Sequence, residues 1–485
     1  MLQPATQMQK RCLEAEPAGK AALGQYMTPA NIAAFMAALF PKVPGGFHLL
    51  DAGAGEGSLT CAFLDGLRAG AGAVPCGELS LFELDAAMAQ KLASNTAQAA
   101  GRMPVTRHIH CTDFIEEAVS LTVRKQRPFT HALLNPPYKK IHSHSRHRAL
   151  LRDAGIETVN LYAAFVALAV ALLQPGGVLV AIIPRSFCNG PYYKAFRMHI
   201  LRHTALRQIH LFASRTEAFK ADKVLQENVV IKLERDAQQG DVLVSASTGG
   251  DLQDYAAAPH PFAELVRPGD SEKFIYIPNC YCATESFPLA NASLASLGIE
   301  VSTGPVVDFR LKQYLRAMPQ GDDAPLLYPG HFAGGTAWPR AGFRKANALA
   351  CCPETMKWLY PAGCYVVVRR LSFKEDKRRI TAHIVDPACF PDTPFLGFEN
   401  HLNVFHCRKK GLKEDLAHGL AAYLNSRFID ALFRRFNGHT QVNAADLRAL
   451  PYPSAAILIE LGLWVRKHAM PAQEAVDQYL EEVLA

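Results

Sequence analysis

The chain has 485 residues, enough for two or three domains with a large buried core. Its composition, 49% hydrophobic and 20% charged, is typical of globular proteins and excludes global disorder. The 51 basic and 44 acidic residues give a net charge of +7, too small for a histone-like polycation but compatible with a local surface for an anionic partner.

The N-terminal segment mixes charged and polar residues where a secretory signal needs an apolar core, so we expect a cytoplasmic protein with reduced cysteines. The longest apolar stretch, residues 161–173, is shorter than the ~20 residues that span a membrane. We therefore expect no membrane association. The twelve cysteines include no C-x-x-C pair, which argues against a structural zinc site.

Short β-rich runs alternate with helical patterns from His48 to Arg235. Helices are predicted between the strands, notably over residues 85–100 and 161–173, and the strands are predicted over residues 48–52, 79–84, 105–110, 131–135, 177–184, 205–212 and 228–234. This alternation predicts an α/β fold, with a mostly parallel sheet covered by helices on both faces.

The pattern changes after Arg235. Residues 236–261 are rich in Gly, Ser, Asp, Ala and Gln and show no sustained period, so they are predicted to connect two domains, residues 1–240 and 262–485. In the second domain, short strands and one amphipathic helix are predicted, the helix running from Asp415 to Phe436 and stopping at Gly438.

A glycine-rich motif, Asp51-Ala52-Gly53-Ala54-Gly55-Glu56-Gly57, follows the first predicted strand. Glycines at the carboxyl end of a strand let a ligand approach the backbone, although they can also serve only to turn the chain. The spacing G-x-G-x-G differs from the G-x-G-x-x-G of nicotinamide dinucleotide sites. Glu83 ends the second strand, where an acidic side chain can bind ribose hydroxyls, so the two features predict an adenosine-containing ligand.

The tetrapeptide Asn135-Pro136-Pro137-Tyr138 ends the fourth predicted strand. The prolines remove two backbone donors and leave carbonyl acceptors, the Asn side chain adds an acceptor, and the Tyr ring can stack. This set of groups suits a planar amine. A Pro-Pro turn with a surface tyrosine is the alternative, which the glycine motif and Glu83 disfavour.

In this order the motifs resemble those of amino-methylating DNA methyltransferases that use S-adenosylmethionine, specifically the gamma class of N6-adenine enzymes from type II restriction-modification systems, which includes the TaqI and PstI methyltransferases. The resemblance covers about residues 24–234, with a weaker similarity at residues 438–443, 446–448 and 450–451. It implies a Rossmann-like class I methyltransferase sheet, a C-terminal mixed α+β target-recognition domain, and S-adenosylmethionine as cofactor.

The resemblance also assigns roles. Asn135, Pro136, Pro137 and Tyr138 would be catalytic, with Phe219 as a second aromatic facing the target base. Glu83 would bind the ribose of the cofactor and Asp113 and Phe114 its adenine ring, and the remaining cofactor contacts would be Tyr26, Thr28, Pro29, Asp51, Gly53, Gly55 and Gly57.

The residues suit this chemistry on their own terms. The lone pair of an adenine amine is delocalised into the ring, and acceptors at the Asn135 side-chain oxygen and the Pro136 carbonyl would localise it as the transition state forms. The target must leave the duplex, and Tyr138 with Phe219 would sandwich it. Methylation of cytosine N4 uses the same logic and stays open, as does a non-catalytic DNA-binding subunit with a methylase fold.

Basic residues cluster between Arg340 and Arg379, where ten basic residues accompany three acidic ones and several aromatics. This concentration favours a nucleic-acid surface over a solvated charged face. The predicted DNA contacts are Lys139 from a basic, histidine-rich loop, and Arg369, Arg370, Lys374, Lys377, Arg378, Arg379, His439 and Gln441.

The histidines of that loop lack a carboxylate at ligand spacing, so no metal site is predicted. The expected partners are double-stranded DNA and a cognate restriction endonuclease that acts separately, with this chain a monomer in a bacterial cytoplasm.

Overall fold

The structure is a computed structural model that describes residues 28–41, 45–70, 76–212, 227–278, 289–332, 335–373, 375–390, 393–437, 440–468 and 471–484. The chain divides into two compact units, Met1–Cys282 and Ala283–Ala485. Among the described residues, every helix is too short or too polar to cross a bilayer.

The first unit is built on a nine-stranded sheet with the order β3-β2-β1-β4-β5-β7-β6-β8-β9. Neighbouring strands from β3 to β5 pair in parallel, and β7 is antiparallel to both of its neighbours. The α/β prediction is confirmed, and each of the seven predicted strands is present. The strands are β1 Phe47–Ala52, β2 Gly77–Phe82, β3 Val105–His110, β4 Phe129–Leu134, β5 Leu173–Pro184, β6 Thr204–Phe212, β7 Asn228–Arg235, β8 Val242–Ser247 and β9 Ala256–His260.

Helices cover both faces of this sheet. In β1, Leu49 packs in one apolar core and Leu50 in another, because successive side chains of a strand point to opposite faces. The helices are α1 Ala30–Ala38, α2 Ser58–Ala69, α3 Ala86–Ala100, α4 Phe114–Val123, α5 Arg146–Asp153, α6 Leu161–Leu172, α7 Lys194–His203 and the short α8 Phe262–Leu265. Almost all of α6 is buried, as its uniformly apolar sequence predicts.

The predicted connection at residues 236–261 is wrong, because this segment supplies two strands of the sheet. β8 pairs in parallel with β6, and β9 pairs antiparallel with β8. Ser245 and Ser247 are fully buried, and their hydroxyls lie 3.0 Å and 3.2 Å from the ring nitrogens of His210. Serines are common in surface loops, so the sequence resembled a loop. Here the serines are buried because their hydroxyls have His210 as a hydrogen-bonding partner. The first unit therefore continues past residue 240.

The second unit contains two sheets, of order β10-β18-β15-β16 and β11-β13-β12-β17-β14. The first is antiparallel throughout, and the second has one parallel pair, β12 with β17. Its strands are short, as predicted: β10 Glu300–Thr303, β11 Leu315–Arg316, β12 Ala324–Leu327, β13 Ala348–Leu349, β14 Leu359–Pro361, β15 Tyr365–Arg369, β16 Ala382–Val385, β17 Phe395–Phe398 and β18 Leu402–His406.

The predicted helix from Asp415 to Phe436 is two helices, α9 Glu414–Leu424 and α10 Arg427–Phe436. The break lies at Asn425 and Ser426. The Asn425 side chain exchanges two hydrogen bonds of 2.9 Å with the backbone of Ala382, and Ser426 accepts from the N–H of Ile429 as the N-cap of α10. Among the described residues of the unit, three further α-helices follow: α11 Ala444–Ala449, α12 Ala455–Lys467 and α13 Gln473–Leu484.

Helices α9 and α12 cross where both carry glycine. A Cβ atom on Gly419 would overlap the backbone carbonyl oxygen of Leu458, and one on Gly462 would overlap that of Asp415. The backbones touch at this crossing, so no larger residue fits at either position without moving a helix.

Candidate active site

A cavity of about 320 Å³ opens at the carboxyl ends of the parallel strands of the first unit. Parallel strands bring their carboxyl ends to one edge of the sheet, where ligands of open α/β folds bind. The wall therefore combines residues from distant parts of the sequence: Gly53 and Gly55 after β1, Glu83 and Leu84 after β2, Asp113 and Phe114 after β3, Asn135 and Pro137 after β4, and residues of the segment 139–147.

The glycine motif forms a tight loop between β1 and α2. Gly53, Gly55 and Gly57 have φ angles of +75°, +57° and +91°, which residues with a Cβ rarely adopt. The carbonyl of Phe82 accepts from the N–H groups of Gly53 and Ala54, both at 2.9 Å, which ties the loop to the end of β2. The loop thus holds its backbone at the cavity wall with no side chain in the way.

Glu83 lies at the cavity wall and is only 2% exposed. Its Oε2 accepts from the N–H of Gly55 and its Oε1 from the N–H of Asp85, each at 2.9 Å. A carboxylate oxygen can accept more than one hydrogen bond. Glu83 thus lies at the cavity wall beside the glycine loop, and its ribose role stays a prediction.

Asp51, at the start of the loop, is completely buried. Burial raises its pKa to about 7, and the neighbouring Glu83 adds to this effect, while the hydrogen bond from Thr60 opposes it. The Thr60 hydroxyl donates to Oδ2 at 2.6 Å, and Oδ1 has no hydrogen-bond partner among the described residues. The loop therefore begins at an acceptor that still lacks a donor.

Asp113 and Phe114 lie where β3 leads into α4. Asp113 is the N-cap of α4, accepting from the N–H of Ile115 at 2.8 Å, and its Oδ2 lies 2.7 Å from Nε2 of His147. Burial alone would raise the pKa of Asp113, but the hydrogen bond and charge of His147, with backbone N–H groups of α4, hold it below its ordinary value. Phe114 is buried, with its ring 5.0 Å from that of Phe165, and forms an apolar wall.

Asn135 and Pro137 of the tetrapeptide line the cavity, with Pro137 next to Gly53 of the glycine loop. The Asn135 side chain donates from Nδ2 to the Thr28 hydroxyl at 2.9 Å. The Tyr138 hydroxyl lies 3.2 Å from Asn135 Oδ1 and 3.3 Å from the carbonyl of Ile182. The Tyr138 ring meets the Tyr162 ring edge-on, with centroids 6.2 Å apart. Two predicted catalytic residues, Asn135 and Pro137, thus line the same cavity as Glu83, Asp113 and Phe114.

The contacts of Thr28 and His147 could not be predicted from the sequence. Thr28, predicted as a cofactor contact, is buried and hydrogen-bonded to Asn135, so it orients the amide of that residue. His147, which follows Lys139 in the basic, histidine-rich segment, faces Asp113. Pro29 precedes α1, and its carbonyl accepts from the N–H of Ala33 at 2.9 Å. The predicted residues outside the described part of the chain are Tyr26, Phe219, Lys374 and His439.

Some of the predicted DNA contacts of the second unit line an open cleft. Arg369, Lys377 and Arg378 line it, and Arg369 forms an ion pair of 2.8 Å with Asp376. Beside it, Arg370 donates to the carbonyl of Asn400 at 2.9 Å and lies 3.4 Å from the side-chain oxygen of Gln441. Most of the described basic candidates thus share one region.

Arg379 does not belong to this surface. It is only 3% exposed, its guanidinium donates to Ser372 at 3.2 Å and to Asn437 at 2.9 Å, and it lies over the ring of Phe433. A buried arginine with these internal partners supports the fold of the unit, so its predicted role as a DNA contact is wrong.

Lys139 of the first unit is exposed at the cavity wall, and its backbone carbonyl accepts from the N–H of Leu161.

The chain is similar to known proteins in sequence, in fold or in both. A family model described as Eco57I restriction-modification methylase matches residues 104–219. The Type II methyltransferase M.BsuBI of Bacillus subtilis is 48% identical over 476 residues, covering 96% of this chain and 94% of the relative. The Type II methyltransferase M.PstI of Providencia stuartii is 42% identical over 454 residues, covering 89% and 87%. The Type IIL restriction-modification enzyme MmeI in complex with DNA has the same fold, with a TM-score of 0.52 and 12% identity over 90% of this chain and 69% of that one.

Proposed function

Since the chain belongs to the type II DNA methyltransferases of restriction-modification systems, we propose that it transfers a methyl group from S-adenosylmethionine to the N6 amine of an adenine flipped out of a specific double-stranded DNA sequence. The proposal depends above all on one observation. The cavity that contains the glycine loop and Glu83 also contains Asn135, so a ribose-binding acid and an amine acceptor face the same space.

The described residues fit S-adenosylmethionine. Glu83 offers two oxygens to the ribose hydroxyls, and Asp113 offers a carboxylate to the adenine amine, with Phe114 and Phe165 as an apolar wall for the ring. The unpartnered Oδ1 of Asp51 supplies an acceptor at the loop. When bound, the cofactor supplies an electrophilic methyl group on a sulfonium.

The amide of Asn135 activates the target amine. The bond from Nδ2 to Thr28 orients the amide, and in this proposal the Asn135 side-chain oxygen and the Pro136 carbonyl accept the two N–H groups of the amine. These acceptors draw the lone pair out of conjugation as positive charge develops on nitrogen, so no strong base is required. The Tyr138 hydroxyl donates to the same oxygen at 3.2 Å, and an amide oxygen can accept a second hydrogen bond beside this one.

The second unit recognises the DNA. Its cleft presents Arg369, Lys377 and Arg378, which suit phosphate contacts, and Gln441 beside it suits a base edge. In this proposal the chain acts as a monomer, and its methylation protects the site from a separate cognate endonuclease.

Transfer of tritium from labelled cofactor to duplex DNA, followed by nucleoside analysis, tests the proposal. We expect label in N6-methyladenine with the wild-type chain and none with Asn135→Ala. Label in N4-methylcytosine would support the cytosine alternative. Sequence-specific DNA binding without any transfer would instead identify a non-catalytic subunit.

A further inference from the structure

The segment of residues 139–153 forms part of the cavity wall and is anchored at both ends. At its start, Lys140 pairs with Asn160 in an isolated β-bridge. Its second half is α5, capped by Ser145 and fixed in the core by the fully buried Leu151. Between these anchors, His142, Ser145 and His147 line the cavity. The segment is therefore a built part of the wall, although its composition is that of a solvated basic loop.

His147 connects this segment to the predicted adenine contact. Its Nε2 lies 2.7 Å from Oδ2 of Asp113, while Oδ1 of Asp113 accepts from the N–H of Ile115. Both oxygens are thus engaged, and the carboxylate has one fixed orientation. A second ion pair, Arg146 with Glu116 at 3.1 Å, joins the same two helices but is exposed and contributes little.

We propose that His147 is a positioning residue for the adenine end of the cofactor, holding the Asp113 carboxylate in the orientation that accepts the adenine amine. The inference rests on the proposed function, because it takes S-adenosylmethionine as the ligand of the cavity. A carboxylate offers about four acceptor positions, and His147 with the backbone N–H groups of Ile115 and Glu116 uses three, so the contact with His147 orients the acceptor without exhausting it.

The charges around His147 favour its imidazolium form. The hydrogen bond to Asp113 raises the pKa of His147, with further support from the charges of Asp113 and Glu116 on α4, while partial burial and Arg146 on its own helix oppose the rise. The charged contact is complete below the ordinary pKa of histidine and weakens as pH rises through the raised pKa, because a neutral ring donates a weaker hydrogen bond. Cofactor affinity should therefore fall on the alkaline side.

Calorimetric titration of the full chain with S-adenosylhomocysteine, without DNA, tests this role between about pH 5.5 and about pH 9. His147→Ala should bind roughly tenfold more weakly than wild type at the acidic end, since a charge-assisted hydrogen bond is lost. His147→Gln retains a donor that does not titrate, so it should recover most of the affinity and lose the alkaline decline. The control His144→Gln changes an exposed histidine of the same segment outside the cavity, and should match wild type.

Two outcomes would overturn the positioning role: wild-type affinity in His147→Ala, or an unchanged alkaline decline in His147→Gln. A lower melting temperature of ligand-free His147→Ala with the affinity profile of wild type would mean that the contact only stabilises the fold, and would overturn it equally. Failure of the wild-type chain itself to bind S-adenosylhomocysteine would contradict the proposed function instead.

Discussion

The cavity of the first unit and the basic cleft of the second unit hold their polar side chains in different ways. In the cavity, Glu83 and Asp113 accept from backbone N–H groups whose positions are fixed by strand and helix ends. In the cleft, Arg369 pairs with Asp376 through partly exposed side chains, next to Lys377 and Arg378 at an open surface. A site of the first kind is preorganised, so the loss of one residue has a large effect. A site of the second kind binds DNA through the sum of several charges, so each substitution lowers the DNA affinity by a small step.

The largest effect is expected for Asn135→Ala in the cavity. Turnover should fall by about a thousandfold, or about 4 kcal/mol of barrier, because an acceptor that acts mainly in the transition state is lost. Cofactor and DNA affinities should change little. Single-turnover assays with saturating cofactor and DNA measure the effect.

The matched controls are Thr28→Ser and Thr28→Ala. The serine variant keeps the hydroxyl that accepts from Asn135 and should stay close to wild type, while the alanine variant frees the amide and should lose part of the turnover. Near-normal turnover in Asn135→Ala would remove this residue from the mechanism.

A substitution at the helix crossing of the second unit should affect the second unit and leave the cavity of the first unit intact. Gly419→Ala places a methyl group against the carbonyl of Leu458 and should lower the free energy of unfolding by about 3 kcal/mol, because backbone must move to accept it. Urea unfolding followed by circular dichroism measures this loss. DNA binding should weaken, and binding of S-adenosylhomocysteine should persist.

The control for this prediction is Gly269→Ala, where a Cβ meets no atom within 4 Å. Equal stability of the two variants would mean that the α9–α12 crossing tolerates a wider separation than the structure shows.

Within the cavity, Glu83→Gln should reduce the affinity for S-adenosylhomocysteine by about tenfold to a hundredfold, since a charged acceptor of the ribose hydroxyls becomes a neutral amide. Calorimetry without DNA is the measurement. The side chain also accepts from Gly55 and Asp85, so the melting temperature without ligand should be recorded alongside. Unaltered affinity would place the ribose elsewhere.

The smallest effect is expected in the cleft. If Arg378 contacts one phosphate, Arg378→Ala should make the slope of log affinity against log salt shallower by about one unit and weaken cognate and random DNA alike. Fluorescence titrations at several salt concentrations provide both values. A loss confined to cognate DNA would show that Arg378 contacts a base.

The neighbouring Arg379 offers an internal comparison. Because its guanidinium is buried against Ser372, Asn437 and Phe433, Arg379→Ala should lower the melting temperature of the chain, which Arg378→Ala should not do. The same two residues show the limit of sequence analysis. They are adjacent and carry the same charge, and only the partners contributed by distant segments distinguish the buried one from the exposed one.

Prediction succeeded where local chemistry determines structure. The glycines of the loop adopt positive φ angles, Asp85 caps α3 as the first residue of its predicted helix, and β3 has its predicted bounds. It failed where tertiary partners determine structure. The buried serines of β8 depend on His210, and the helix break depends on the pairing of Asn425 with Ala382, which is 43 residues away. The role inferred for His147 likewise depends on a partner 34 residues distant.

The two edge strands of the nine-stranded sheet influence whether one molecule can pair with another. An exposed edge strand is a template for pairing with another molecule, and short length, charged side chains and proline weaken that tendency. One edge, β9, has five residues and contains Pro259, which has no backbone N–H to donate. The other edge, β3, has exposed side chains at Thr106, Arg107 and His108. A sheet this wide therefore ends on both sides in strands that oppose edge-to-edge aggregation.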